Sequence, residues 1–393
     1  MKVALVHDYI REYGGAERVL KTLTELFPNA PIYTAFKVQG STADKEFKGK
    51  KIVESFLAPI LRIDNFYSPL RFLIPVIWRR FDLSNYDLVI TSSSWYVTRG
   101  FKVSSKTKVI CYCHTPSRWL YGYETSVKFT KYWPVKIYAA IVGHFIRMYD
   151  WETAQPTSLK LRGSGKSGYQ GGVDYFIANS QNVAARIEKF YRRDSSVIYP
   201  PVEVEKIIET TKNLKKEDLP AQAGYFLIVS RLVGAKGLEE AAKLAKKLSF
   251  KLKIVGETHG FADVKRELER LSGGNIELLG GIDDISLYHT YARAKGFIAL
   301  ARDEDFGMSV VEAQAAGTPV IAFNGGGFRE SVVDGETGIL IDDTNEETME
   351  EAIRKLENTK WDKEKLRENA RRFSKEGFKN EIRRFVEKHA RTT

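Results

Sequence analysis

The chain has few cysteines and no apolar run long enough to cross a membrane. Its 393 residues include 2 cysteines and 4 methionines. Cys111 and Cys113 cannot form a disulfide framework, and a C-x-C pair supplies too few ligands for a metal. We interpret both as small apolar strand residues in a reducing cytosol. The longest uncharged apolar stretches, 72–78 and 137–146, fall short of the ~20 residues that a spanning helix needs. Residues 1–9 form a short strand pattern, not a secretion signal.

Acidic residues are in the minority. Lysine and arginine number 61 against 50 aspartates and glutamates, which gives a formal net charge of +11. Such an excess favours polyanionic partners, such as phosphorylated substrates or anionic lipid surfaces, and it serves equally well as a solubilising surface. The sequence has no basic helix with evenly spaced arginines and no zinc-finger spacing, so we expect no nucleic-acid partner.

Short strand patterns alternate with amphipathic helical patterns along most of the chain. The first series has strand patterns at 2–6, 86–93, 108–114 and 173–180 and a helical pattern at 14–27. It pauses at two consecutive prolines, Pro200 and Pro201, which resist regular structure. A second series begins at residues 224–232. This alternation predicts βαβ units and parallel sheets.

We therefore predict an α/β protein with two doubly wound, Rossmann-like domains that face a deep cleft. The first domain is expected over residues 1–200 and the second over 201–375. A last helical segment, residues 376–393, is expected to pack back on the first domain. Ligands of such folds bind beyond the carboxyl ends of the strands, so the cleft is the expected site.

Two glutamates flank a predicted helix start in RDEDFGMSVVEAQAAGTPV, residues 302–320. Gly307 is expected to open this helix, whose first amides are unpaired and attract phosphate or sugar oxygens. Glu312 can accept two hydrogen bonds from a vicinal diol such as a ribose, and Glu304 lies in the preceding loop. The alternative is a solvated Glu304 and a Glu312 that only complements the helix dipole. We expect no metal at the D-x-D pair of residues 303–305.

Other strand ends carry cations, glycines and a histidine. Arg231 and Lys236 follow a buried strand of the second series and can hold a diphosphate, although two unrelated surface cations would give the same pattern. In the first series, Gly14 and Gly15 allow close approach of the backbone at a strand-to-helix turn. His114 ends another strand. We interpret these positions as parts of one ligand site.

Together these motifs resemble the retaining glycosyltransferases of family four, which have the GT-B fold. The resemblance is carried by EDFGMSVVEAQAAGTPVIA at 304–322, SRLVGAKGL at 230–238, GGAERV at 14–19 and YCHTPSRWLY at 112–121. It covers nearly the whole chain except an insertion near 157–172. That insertion is rich in glycine, and we interpret it as a flexible surface loop because it lacks the spacing of a phosphate-binding P-loop.

The resemblance implies a role for each site residue. Glu312 would bind the ribose hydroxyls of a nucleotide-sugar, Glu304 would contact the transferred sugar, and His114 would face that sugar from the first domain. Arg231 and Lys236 would hold the diphosphate. The implied catalytic residues are His114, Arg231, Lys236 and Glu304, and the implied donor-binding residues are Gly14, Gly15, Phe306, Gly307, Met308, Ser309 and Glu312. Neither a metal nor a cofactor is expected, because cations and helix termini neutralise the leaving diphosphate.

The implied activity is transfer of a hexosyl group, with retained configuration, to a saccharide or lipid-linked saccharide. Within the family the chain looks most like mannosyltransferases that use GDP-mannose. No residue that we can name distinguishes guanine from uracil. Ala301 and Arg302 depart from the family, whose members often carry a proline and a small or acidic residue there. A sugar-nucleotide epimerase and a non-catalytic nucleotide-sugar-binding protein stay open as alternatives.

Two segments, residues 56–81 and 131–151, combine aromatic side chains with cations. Such segments can lie in a membrane interface and be drawn to anionic lipid. They fit equally well as core and cleft helices of the first domain. The expected location is therefore the cytoplasm, either free or at the cytoplasmic face of a membrane.

Overall fold

The structure is a computed structural model that describes residues 1–63, 66–123, 133–156, 169–212, 214, 224–257 and 262–390. The chain divides into two compact units. The N-terminal unit contains the described residues up to Pro201 and those from Phe378 onward, and the C-terminal unit contains Val202–Gly377. Each unit is built on one parallel sheet with helices, which confirms the predicted class of two Rossmann-like α/β domains.

Seven parallel strands form the main sheet of the N-terminal unit. The strands of this unit are β1 (Val3–His7), β2 (Ile32–Thr34), β3 (Ile52–Glu54), β4 (Leu88–Ser93), β5 (Lys102–Val103), β6 (Lys108–Cys113), β7 (Tyr169–Gln170), β8 (Tyr175–Ala178) and β9 (Ser195–Val197). The main sheet has the order β3-β2-β1-β4-β6-β8-β9, and β5 pairs separately with β7. Every residue of β4 is buried, as expected for a parallel strand covered on both faces.

The helices of this unit are α1 (Gly15–Leu26), α2 (Thr42–Glu46), α3 (Ala58–Leu61), α4 (Ile74–Arg79), α5 (Trp133–Ala154) and α6 (Gln181–Tyr191). Helix α1 buries Val19, Leu20 and Leu23, whose spacing gives one apolar stripe against the sheet. Helix α6 begins after Ser180, whose hydroxyl accepts a hydrogen bond from the Val183 amide and so satisfies one of the free donors of the first turn.

The C-terminal unit has a six-stranded parallel sheet. Its strands are β10 (Tyr225–Val229), β11 (Lys251–Val255), β12 (Ile276–Gly280), β13 (Gly296–Ala299), β14 (Val320–Phe323) and β15 (Gly338–Ile341), in the order β12-β11-β10-β13-β14-β15. Its helices are α7 (Val204–Lys212), α8 (Leu238–Lys247), α9 (Ala262–Leu271), α10 (Asp284–Arg293), α11 (Met308–Ala315), α12 (Phe328–Ser331), α13 (Glu346–Asn358) and α14 (Lys363–Arg371).

The last helix, α15 (Lys375–Ala390), packs against the core of the N-terminal unit. It buries Phe378, Ile382 and Val386 in the same cluster as Leu5 of β1 and Ile177 of β8. The chain therefore leaves the N-terminal unit after Pro201 and returns to it at Phe378.

The order of the strands reverses once in each sheet. In the N-terminal unit the reversal lies between β1 and β4, and in the C-terminal unit it lies between β10 and β13. In open parallel sheets the ends of two such strands leave a crevice in which ligands bind. The loops that follow His7, Ser93, Val229 and Ala299 are therefore the places where functional side chains are expected.

Cys111 and Cys113 are unbonded and buried in β6. Among the described residues, no helix is long and apolar enough to cross a membrane. Most of the glycine-rich insertion, residues 157–168, lies outside the described residues.

Candidate active site

Lys236 lies in a tight turn above the C-terminal sheet. It ends the 3₁₀ turn Gly234–Lys236, between β10 and α8. Gly237 follows with φ +68°, and a Cβ at that position would come within 2.8 Å of the Cβ of Leu300. Because this glycine is pressed against the residue after β13, the turn that carries Lys236 lies close to the loop that follows β13.

Lys236 and Glu304 form an ion pair. The Nζ atom of Lys236 lies 2.5 Å from Oε2 of Glu304, and the two side chains are 25% and 15% exposed. The two residues are 68 positions apart in sequence and meet because β10 and β13 are neighbours. Arg231 is exposed in the loop between β10 and the 3₁₀ turn. This edge of the sheet thus offers an anion-binding cation beside a carboxylate.

Two glycines, Gly326 and Gly327, pack against the loop that carries Glu304. The Gly327 amide donates to the Glu304 carbonyl oxygen over 2.9 Å. A Cβ at Gly326 would lie 2.3 Å from that same oxygen, and one at Gly327 would lie 2.4 Å from the Cα of Phe306. The glycine-rich turn after β14 therefore packs directly on the backbone of the Glu304 loop, which larger residues would displace.

Helix α11 begins immediately after this loop. Gly307 is its N-cap with φ +88°, and a Cβ there would come within 2.5 Å of the ring of Phe328. Met308 and Ser309 form the first turn and are partly exposed, so their end of the helix faces solvent. Phe306 differs from its neighbours: it is buried and packs edge-on against Phe373, with ring centroids 5.2 Å apart.

Glu312 is a nearly buried carboxylate in α11. It is 4% exposed, and the hydroxyl of Tyr291 on α10 donates to its Oε2 over 2.8 Å. Thr318 in turn donates to the Tyr291 carbonyl oxygen over 2.6 Å. The carboxylate is therefore held in one orientation. Tyr291 was not found from the sequence, because nothing in its local pattern marks it as a partner of Glu312.

In the N-terminal unit, His114 belongs to a chain of buried polar groups. Its Nε2 lies 2.8 Å from Oγ of Ser92, which lies 3.0 Å from Nδ1 of His7. The other ring nitrogen of His7 lies 3.3 Å from Glu17 Oε1, and the Gly14 amide donates to Glu17 Oε2 over 2.9 Å. These hydrogen-bonded polar groups thus connect the end of β6 to the turn before α1.

Burial and, to a smaller extent, the nearby His7 together lower the pKa of His114 to about 3. The imidazole is therefore neutral at physiological pH and can donate from one nitrogen while it accepts at the other. His7, Ser92 and Glu17 were missed by sequence reasoning. The signal was present in part, because residues at the ends of adjacent parallel strands come together, and His7 is in register with Ser92.

Asp8 is a second buried carboxylate at the strand ends of this unit. Its Oδ2 accepts hydrogen bonds from the Ser94 amide, the Ser94 hydroxyl and the Trp95 amide over 3.1, 2.9 and 2.5 Å. Its Oδ1 is buried and has no hydrogen-bond partner. Burial raises the pKa of Asp8. Sequence reasoning overlooked this residue because a single acid after a strand is a common feature.

The family matches agree with these two units. Residues 13–206 match Glycosyltransferase Family 4, and residues 209–373 match Glycosyl transferases group 1. The two matched segments follow one another along the chain. The first contains His114 with the Gly14 turn, and the second contains Lys236, Glu304 and Glu312.

The chain is also similar to individual glycosyltransferases. It is 28% identical over 207 residues to an uncharacterized glycosyltransferase of Methanocaldococcus jannaschii. That alignment covers 51% of this chain and 55% of the relative. It is 28% identical over 213 residues to a D-inositol 3-phosphate glycosyltransferase of Arthrobacter, which covers 49% of each. The chain therefore spans about half the length of the curated relatives it matches.

Solved structures extend the similarity to the whole fold. The Anabaena protein HepE, determined in complex with UDP-glucose, aligns with a TM-score of 0.67 and 16% identity over 99% of this chain and 100% of that one. At this identity the likeness concerns the fold alone, and it confirms the predicted GT-B fold class.

Among the described residues, no group of three or more histidine, cysteine, aspartate or glutamate side chains is arranged to hold a metal ion. The absence of a metal requirement stays a prediction. The roles of the individual site residues also stay predictions.

Proposed function

We propose that the protein is a glycosyltransferase that moves a hexosyl group from a nucleoside-diphosphate sugar to a saccharide or lipid-linked saccharide. The observation that carries this proposal is the Lys236–Glu304 ion pair, 2.5 Å across, at the strand ends of a glycosyltransferase domain. Glu312 lies in the helix that follows, held by Tyr291. This grouping supplies a cation for a diphosphate and carboxylates for hydroxyl groups.

In the proposed reaction, the bond between the sugar C1 and the diphosphate oxygen breaks as a bond from C1 to the acceptor oxygen forms. Lys236 exchanges Glu304 for the diphosphate and, together with Arg231, neutralises the charge that develops on it. Glu304 is then free to accept hydrogen bonds from the transferred sugar. Glu312 binds the ribose. The acceptor proton passes to a donor phosphate oxygen, and attack from the same face retains the configuration at C1.

We further propose a mannosyl group and GDP-mannose as the donor, on the resemblance of the motifs to mannosyltransferases. A UDP-sugar is the alternative donor, because the related Anabaena fold was determined with UDP-glucose. His114, neutral and hydrogen-bonded to Ser92, is proposed to face the sugar from the N-terminal unit. Gly14, Gly15 and the first turn of α11, with Met308 and Ser309, are proposed to contact the donor.

Release of nucleoside diphosphate tests this proposal. GDP-mannose and a panel of UDP-sugars would be incubated with the protein, with and without candidate saccharide acceptors and with a chelator present. Release from one donor that is lost in Glu312→Gln and unaffected by the chelator would support a metal-free transferase. If release of nucleoside diphosphate instead requires added divalent metal, the proposal that transfer needs no metal is refuted.

The two alternatives predict different products. An epimerase would change the donor sugar without any acceptor, which chromatography of the recovered nucleotide-sugar would detect. A binding protein would hold the donor without releasing nucleoside diphosphate even with acceptor. The matches to two glycosyltransferase domains favour transfer over both. The anomeric configuration of the product, read from its NMR coupling constant, would test retention.

A further inference from the structure

Large apolar side chains are exposed on one part of the N-terminal unit. Among the described residues, six lie in the segment that contains α3, the 3₁₀ turn Pro69–Leu73 and α4, and seven lie on α5. The first set is Phe56, Ile60, Ile63, Phe66, Phe72 and Val76, and the second is Trp133, Ile137, Tyr138, Ile141, Phe145, Met148 and Trp151. The remaining three, Met1, Ile285 and Val333, are scattered. We name the first two sets together the apolar face.

The exposed side chains of α5 form a continuous helical stripe. Trp133, Ile137, Ile141, Phe145, Met148 and Trp151 follow one another at intervals of three or four residues, which places them on one side of the helix. Ile141 is 56% exposed and Phe145 is 64% exposed. Helix α5 also buries Ile146 and Tyr149 in the core. A helix that is apolar on both its buried and its outward sides is unusual in a protein surrounded by water.

The two sets lie on adjoining elements. The Tyr138 hydroxyl on α5 donates to the Pro69 carbonyl oxygen of the 3₁₀ turn. Ile74 and Ile77 of α4 share a core cluster with Ile146 of α5. Thirteen exposed large apolar side chains therefore lie on elements that pack against one another, whereas soluble monomers usually expose such side chains singly or in small patches.

The charges around the apolar face are mostly positive. Residues 56–81 contain four arginines, and their one acidic residue is Asp64. Arg79 and Arg80 are exposed, and the guanidinium of Arg80 lies 5.4 Å from the ring centroid of Phe56. On α5, Lys136 and Glu152 are both exposed. Asp150 is fully buried and paired with Arg99, so its charge is not presented outward.

We propose that the apolar face is a docking surface for an anionic lipid membrane. A lipid interface accepts a broad apolar stripe, places tryptophans at its polar boundary and attracts arginines to anionic headgroups. The stripe on α5 has a tryptophan at each end, and it is about 27 Å long at the rise of an α-helix. The cations favour a phospholipid surface over a neutral apolar partner.

The docking surface is connected to the strand ends of its own unit. Arg71, in the 3₁₀ turn, stacks between Trp95 and Trp119, at 5.0 and 4.8 Å from the ring centroids. Trp95 also donates its amide to Asp8. If the proposed transferase activity is correct, on which this step rests, docking would bring a lipid-linked acceptor to the side of the unit that carries Asp8.

Vesicle sedimentation tests the proposal. The full chain would be mixed with vesicles of phosphatidylcholine alone and with vesicles of phosphatidylcholine and phosphatidylglycerol in equal parts. We expect binding to the anionic vesicles that weakens as salt rises. Ile141→Glu should lower the vesicle partition coefficient roughly tenfold or more, because it replaces an isoleucine that would be buried in the lipid with a negatively charged side chain. Arg80→Gln should lower it roughly fivefold through loss of one cation near the surface.

Ile285→Glu is the matched control. Ile285 is 55% exposed, close to the value for Ile141, but it lies on α10 of the C-terminal unit. This variant should bind vesicles like the wild type. Absence of binding to anionic vesicles, or equal loss in both glutamate variants, would overturn the proposal. A third outcome would also overturn it: the chain forms a concentration-dependent dimer, does not bind vesicles, and loses the dimer in Ile141→Glu. The apolar face would then be covered by a second copy of the chain.

The outcome is separate from that of the transferase proposal. Nucleoside diphosphate release measured without vesicles should be the same in Ile141→Glu and in the wild type. Vesicle binding without any donor turnover would uphold the docking surface and contradict the proposed function.

Discussion

Lys236 is the residue whose loss should most clearly separate activity from stability. Its Nζ lies 2.5 Å from Glu304 in a pair that is partly open to solvent. Such a pair contributes about 1 kcal/mol or less to folding. If the same ammonium neutralises the leaving diphosphate, its removal should slow turnover roughly 10²–10³-fold, or about 2.7–4 kcal/mol in the transition state. Lys236→Ala should therefore lose most activity while its melting temperature falls by only a few degrees.

The assay is nucleoside diphosphate release at saturating donor, with thermal unfolding measured in parallel. Lys247→Ala is the matched control, because Lys247 pairs with Glu346 in the same unit and is 65% exposed. The control should keep both turnover and stability. Wild-type turnover in Lys236→Ala, or equal losses in the two variants, would show that this ammonium does not act on the diphosphate.

Three further predictions concern groups that position the site. Tyr291→Phe removes the 2.8 Å hydrogen bond to Glu312 and should weaken nucleoside diphosphate binding about tenfold by calorimetry; unchanged affinity would contradict a donor-facing Glu312. Gly307→Ala places a Cβ 2.5 Å from a phenylalanine ring, whereas Gly335→Ala meets nothing within 4 Å at a similar positive φ. In denaturant titrations Gly307→Ala should lower the free energy of unfolding by about 1–3 kcal/mol more than Gly335→Ala does, and equal losses in the two variants would refute the packing argument. The pKa of His114 is about 3 in the folded chain and 6.5 in the unfolded one, so the unfolded state binds the extra proton and stability should fall as pH drops from about 6 toward 3. His114→Gln should reduce this slope by up to about 1.4 kcal/mol per pH unit, and an unchanged slope would assign it to other groups.

The fold class could be predicted from the sequence because its signal is local. Buried parallel strands such as β4 are short, continuous apolar runs, and the helices between them keep one apolar stripe. Elements without that signal were not predicted. The strands β5 and β7 have two residues each, and their pairing joins positions that are distant in sequence.

The candidate site could be predicted only where a residue stands in a motif. Lys236 and Glu304 follow the ends of two strands, and the reasoning that strand ends share one edge was enough to place them together. The partners that orient these groups were missed. Ser92 meets His7 and His114 only because β4 lies between β1 and β6, and this strand order cannot be derived from local patterning.

Phe306 shows the opposite difficulty. It stands inside the motif, which predicts it among the donor-binding residues, and its side chain packs against Phe373 in the core. Its role in donor binding stays a prediction. A sequence motif contains residues that pack in the core as well as residues that contact a ligand, and the spacing of the motif does not distinguish the two kinds. Burial and contacts from the folded chain are required for that distinction.

Calorimetric titration of GDP and UDP into the full chain is the most direct test of the donor site, because it needs no acceptor. The titration would be run with a chelator on the wild type and on Glu312→Gln. We predict that one of the two nucleotides binds at one site per chain, and that Glu312→Gln weakens this binding by roughly tenfold or more. Failure of both nucleotides to bind, or equal affinity in the variant, would contradict the assignment of this site to a nucleotide-sugar.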